Sequence, residues 1–197
     1  MWQRILTLIF TSVETVLVGG TFYGWSNLQN VFVQEGFFST QNSTLQVERL
    51  NLVSTLSTTT GALISVLFGF LIDAKGFWFS RSVILAVVAF SYVLFSLSNV
   101  INNYIVFAGG IVLLAGNLGV WTANCRISGL FPGYELVYGY LINGCGQSSY
   151  GTFYLFNRLY FRFGVSFETI FYLAALFTLL SHAHTFLLFP SKSVREA

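Results

Sequence analysis

The sequence predicts an all-α membrane protein, six transmembrane helices packed as one bundle over residues 1–197, and three observations lead there. Only 8% of the chain is charged, against 55% hydrophobic and 18% aromatic, whereas a soluble domain carries about 25% charged residues. Uncharged runs of 23, 22 and 23 residues lie between Arg49 and Asp73, Glu135 and Arg158, and Glu168 and Lys192. Each is close to the roughly 20 apolar residues that carry a helix across a bilayer. A longer uncharged run, residues 82–125, spans 44 residues with SNVINN in its middle, which reads as two spans joined by a polar turn.

In order, the expected spans are 5–33, 50–72, 82–98, 104–124, 136–156 and 168–190. The first holds a single charge, Glu14. Its start, Arg4 followed by ILTLIFTSV, has the form of a secretory signal, but the apolar character continues for 19 residues past Glu14 without an A-x-A cleavage pattern. The segments are continuously apolar rather than alternating, which argues against a transmembrane β-barrel. With a cytoplasmic N-terminus, Arg4, Lys75, Arg81, Arg126, Lys192 and Arg195 fall inside and Arg49, Arg158 and Arg162 outside. The positive-inside bias therefore places both termini in the cytoplasm of a multi-pass protein, expected in the plasma membrane. The external loop 34–49 then carries the sequon Asn42-Ser43-Thr44, a candidate glycosylation site. The net charge of +2 is spread over several loops, so nothing calls for a nucleic-acid partner.

Glu14 lies about ten residues into the first span, roughly 15 Å deep at ~1.5 Å per residue. A charge at that depth costs ~3 kcal/mol or more on insertion scales, so it should face the bundle interior and meet a partner. Two readings stay open: a substrate contact, helix-break anchor or protonatable switch, or a structural hydrogen bond to Ser or Thr of another helix. The second span opens with STLSTTTG and the fifth holds INGCGQSSYG. Unpaired polar groups at such depths cost several kcal/mol each. Asn143 and Gln147 share a helix face by their i, i+4 spacing, with Gly144, Cys145 and Ser148 beside it. Asn117 and Asn124, seven apart, share a face of the fourth span. These positions are candidate substrate contacts or, equally, polar glue between helices. Gly109, Gly110, Gly116 and Gly119 are accounted for by helix packing.

Enzymatic chemistry is not assembled. GCGQSSYG completes neither GxSxG nor GxGxxG and lies inside an apolar span. His182 and His184 are two apart, on nearly opposite sides of a helix, without the i, i+4 spacing of a zinc pair. Cys125 and Cys145 have no CxxC or histidine companion. No catalytic residue, metal, disulfide or cofactor is expected.

The stretch GFLIDAKG closes the second span with Asp73 and Lys75 at a turn. Gly69, Leu71, Asp73 and Gly76, with Arg81 following, resemble the G-x-L-x-D-x-x-G loop between the second and third helices of the major facilitator superfamily. That resemblance implies a gating loop in which Gly69 allows a close helix approach and Asp73 pairs with a cation or caps a helix across the cytoplasmic seam. VETVLVGGTFYGWSNL, with Glu14, Gly24 and Trp25, is similar to the opening helix of solute carrier family 43. The stretch 129–153, Asn124 and the closing HTFLLFP fit the same family, while Arg126 and Gln147 depart from it. The likeness covers the N-terminal six helices of a twelve-helix carrier. It implies facilitative transport of neutral amino acids or purine nucleobases by alternating access, with Trp25 added to the candidate substrate contacts Glu14, Asn117, Asn124, Asn143, Gln147 and Ser148. The implied partners are the lipid bilayer, a small-molecule substrate and a second six-helix half in cis or in trans. A truncated or half-size protein without transport of its own, acting as an assembly partner, is the competing expectation.

Overall fold

The computed structural model describes residues 2–39 and 43–188. Among them are eight α-helices and no strand: α1 (Trp2–Leu17), α2 (Trp25–Gln34), α3 (Ser43–Lys75), α4 (Phe77–Val100), α5 (Ile105–Cys125), α6 (Glu135–Ser148), α7 (Tyr150–Phe163) and α8 (Phe167–Leu188). Short 3-10 turns, Thr21–Gly24 and Arg126–Leu130, precede α2 and follow α5. Three helices are long and apolar enough to cross a membrane, α3, α4 and α5 with the turn after it, and a fourth crossing is available if the pair α1 and α2, bent by 40°, counts as one.

The expected first and fifth spans are therefore not continuous helices. The first stops where Gly19 and Gly20 remove the side chains that would stiffen it, and TFYG winds into the 3-10 turn. The fifth is interrupted at Ser149, between α6 and α7. The two interruptions face each other, because α1 packs on α6 while α2 and the 3-10 turn pack on α7. A Cβ on Gly20 would meet the Ser149 hydroxyl and come within 2.7 Å of the Gly146 carbonyl. One on Gly24 would strike the Tyr150 carbonyl and lie 3.0 Å from Phe153 Cβ. The broken spans thus touch backbone to backbone.

Elsewhere α5 is the central rod, packed along α3 and α4, and α8 lies along α4. Small residues set the approach: Gly116 sits against Val88, Gly119 against Phe68 and Ile84, and Gly110 against Ser57. A second part of the core is aromatic. Phe32, Phe37, Phe95, Phe167 and Phe171 form one cluster, and Trp25 joins it through Phe22, Phe32 and Phe95. Trp25, a candidate substrate contact on the resemblance, lies in the core at 6% exposure.

At 33 residues, α3 is roughly 50 Å long and outruns the ~30 Å hydrocarbon layer. Its N-terminal end is tied back by Gln46, whose amide donates to the carbonyls of Phe37 (2.8 Å) and Val33 (3.4 Å). Asn42 lies outside the described residues. At the same end Asn99 of α4 donates to Glu35 (3.1 Å) and to Glu168 (3.0 Å), linking the ends of α2, α4 and α8. At the other end α3 turns into α4 at Gly76, whose φ of +83° is a conformation that side chains disfavour.

Two glycines separate packing from sequence pattern. Gly20→Ala is expected to lower stability by ~1–3 kcal/mol through overpacking, whereas Gly69→Ala, whose Cβ would meet nothing within 4 Å, should leave it unchanged or slightly raised. Thermal unfolding of both variants in one detergent checks this, and equal shifts would contradict the packing of the two breaks.

Candidate functional site: a buried ion-pair knot

Helix α4 begins at Phe77, ahead of the expected 82, and this places Arg81 inside the helix rather than in the loop. Arg81 is 1% and Glu14 2% exposed, and the two form an ion pair through Nη2 and Oε2. The second guanidinium nitrogen donates to the Asn124 side-chain oxygen at 2.5 Å, and the Asn124 amide donates to Glu14 (3.1 Å) and Thr15 (2.8 Å). From α6, the Tyr138 hydroxyl donates to the Asn124 carbonyl (3.0 Å) and stands 3.3 Å from the Thr11 hydroxyl. Four helices, α1, α4, α5 and α6, are thereby joined by one polar knot. His182 on α8 lies within electrostatic reach of both charges, and the Arg81 guanidinium also covers the Phe77 ring at 5.7 Å.

Glu14 therefore faces the bundle interior, and its partner is a cation rather than only a hydroxyl. Arg81 is one turn into α4 and Asn124 is next to last in α5, so the knot lies toward the cytoplasmic helix ends in the expected topology, closer to them than the depth of Glu14 counted along α1 suggests. The carboxylate is not saturated: Glu14 Oε1 is buried and has no hydrogen-bond partner among the described residues. A buried oxygen left so costs about 1–3 kcal/mol, which makes the knot strong but not maximally so.

Asp73 and Arg126 form a second ion pair at 2.7 Å, just outside the first. It joins the α3 end to the turn after α5, and its side chains are 59% and 47% exposed. An exposed pair contributes roughly 0–1 kcal/mol. The expected gating set thus divides: Arg81 belongs to the buried knot, Asp73 to the rim, Gly76 to the turn, and Gly69 to open space with no helix against it.

The remaining candidates fall into two groups. Asn117 and Asn124 are fully enclosed. With its amide oriented by its neighbours, nitrogen toward the acceptors and oxygen toward the donors, Asn117 donates to the Val18 (2.7 Å) and Leu113 (3.3 Å) carbonyls and accepts from the Phe22 N–H (3.3 Å) and the Thr21 hydroxyl (3.0 Å), and Thr21 meets the Tyr92 hydroxyl at 3.2 Å. Asn117 so satisfies both sides of the first break, and works as an anchor rather than a wall. Asn143, Gln147 and Ser148 are exposed on α6. Asn143 accepts from the Trp121 indole at 3.0 Å, and the Ser148 hydroxyl bonds back to Gly144 at 2.9 Å. Trp121 and Tyr138 were absent from the expected set. Three-residue spacing from Asn124 marks Trp121 as its neighbour on α5, but nothing in the spacing points to Tyr138.

Removing one partner of a buried pair leaves an uncompensated charge, so Arg81→Met is expected to cost ~3–5 kcal/mol. The double variant Glu14→Gln/Arg81→Met should recover a large part of that, and Asp73→Asn should cost less than ~1 kcal/mol. Unfolding of the wild type, Glu14→Gln, Arg81→Met and the double variant in mild detergent, with Asp73→Asn beside them, gives the coupling, and purely additive losses would contradict the pairing. The chain matches no protein-family profile, no curated protein and no solved structure.

Proposed function

We propose that this chain is a six-span half of a facilitator-type solute carrier, moving small neutral organic solutes such as amino acids or nucleobases by alternating access with a second six-helix half. The observation that carries the reading is the Glu14–Arg81–Asn124 knot. Ionisable residues inside membrane helices are costly and mark solute or ion pathways, and this pair ties α1, α4 and α5 together at one end of the bundle only. The bent pair α1 and α2 is a candidate discontinuous span, with the interrupted pair α6 and α7 packed on it, an arrangement that carriers use near their solute sites.

In this reading the knot and the Asp73–Arg126 rim hold the cytoplasmic ends closed, and inward opening separates them. The knot supplies the greater part of the closure because it is buried, whereas the rim is screened by solvent. Exposed Asn143 and Gln147 on α6 form part of the solute wall. Broken spans support the rocking: their glycine contact lets the pairs α1 with α6 and α2 with α7 pivot without unpacking side chains. Substrate identity within the neutral solutes follows from the wall rather than from the knot.

Uptake of labelled leucine, phenylalanine, adenine and guanine into proteoliposomes, by this chain and by the chain joined to a second six-helix half, tests the proposal. Saturable uptake of at least one solute is expected. Asp73→Asn is expected to slow turnover about two- to fivefold with little change in KM, the range that a loss of ~1 kcal/mol permits. Glu14→Gln should change KM or the pH response. Absence of saturable uptake in both settings would overturn the reading and leave the assembly-partner role.

A further inference from the structure

We propose that Trp121 and Tyr23, together with Asn143 and Gln147, form a ledge that selects solutes carrying a planar ring. The inference rests on the transport reading and assigns it two specificity-determining residues. Tyr23 from the 3-10 turn is 52% exposed and stands edge-on to the Trp121 ring of α5, with centroids 6.3 Å apart. The indole lies flat on α6 because position 146 is glycine: a Cβ there would be 2.8 Å from two atoms of the ring. Gly20 opens the same corner, since a Cβ on it would come within 3.4 Å of the Tyr23 ring as well as meeting Gly146 and Ser149. Two glycines from the two broken spans thus create the space in which the two aromatic rings stand.

The polar groups are placed to match. Asn143 uses its oxygen to accept from the indole N–H, which fixes the ring plane and directs the amide NH2 elsewhere; that NH2 has no partner among the described residues. Gln147, one turn on, is exposed and adds a second amide to the same face. Exposed amides at this level of a membrane bundle are incompatible with contact to lipid tails, where each unmet group costs several kcal/mol. They must meet water, solute or a protein wall. An edge-to-face aromatic pair beside two amides offers a ring stacking surface and an edge that donates and accepts hydrogen bonds. An aliphatic side chain would use neither.

The test is equilibrium binding of labelled adenine, phenylalanine and leucine to the full chain in lipid nanodiscs, for wild type, Trp121→Ala and Tyr23→Ala. Both rings are expected to bind more tightly than leucine. Each substitution should weaken adenine and phenylalanine at least ~5-fold, the range measured for ring stacking, and leave leucine within twofold. Tyr23→Ala keeps the test decisive if Trp121→Ala fails to fold, because Tyr23 is half exposed and makes no hydrogen bond to the core. Leucine binding with no preference for rings, or equal losses for all three probes, would overturn the ledge while leaving transport standing. No binding of any probe to the wild type would overturn the transport reading and the ledge with it.

Discussion

The structure depends on one electrostatic constraint: Glu14 cannot sit inside an apolar helix without a counterion, and Arg81 is the counterion that the fold delivers. A lone carboxylate in hydrocarbon costs several kcal/mol, and so does a lone guanidinium. Paired and hydrogen-bonded they become tolerable, on condition that α1, α4 and α5 hold fixed positions. Asn124 makes the condition strict, because its side chain bonds to both charges at once and its carbonyl takes the Tyr138 hydroxyl. The helix order around α5 follows from satisfying that knot together with the small-residue contacts at Gly110, Gly116 and Gly119.

The two broken spans obey a different rule. An interrupted helix leaves backbone groups that an apolar surrounding cannot satisfy. Here the break between α1 and α2 is sealed by the Asn117 carboxamide and by direct contact with the break between α6 and α7, and the Thr152 hydroxyl bonds to the Val16 carbonyl at 2.9 Å. Each interruption is thus the seal for the other. The long helices α3, α4, α5 and α8 pack along one another, while α1, α2, α6 and α7 meet through glycine and short polar bonds. The proposed rocking would move the jointed helices against the straight ones, with the two ion pairs holding the closed state.

Apolar run length made the helical membrane class legible in the sequence, and the isolated charge made Glu14 stand out as an interior residue. Run length is blind to what interrupts a helix, since Gly19, Gly20 and Ser149 are themselves apolar or small; the expected continuous spans over 5–33 and 136–156 are broken for that reason. Charge usually ends a span, so the sequence places Arg81 in the loop motif, and only the start of α4 at Phe77 shows it turned inward. Trp25 shows what a motif leaves out: the resemblance makes it a candidate substrate contact, and the fold packs its ring against Phe22, Phe32 and Phe95. Helical spacing put Asn143 and Gln147 on one face correctly, yet could not show that Trp121 of a different helix completes it.

Under the proposed transport cycle the buried pair that ties α1 to the start of α4 must part for the bundle to open. Spin labels at the exposed positions Ile5 and Phe79, in a background with Cys125 and Cys145 replaced by serine, report that separation by pulsed electron paramagnetic resonance in nanodiscs. The account predicts one narrow distance population in the wild-type background and an added, longer population when Glu14→Gln weakens the knot. Identical narrow distributions in both proteins would contradict it.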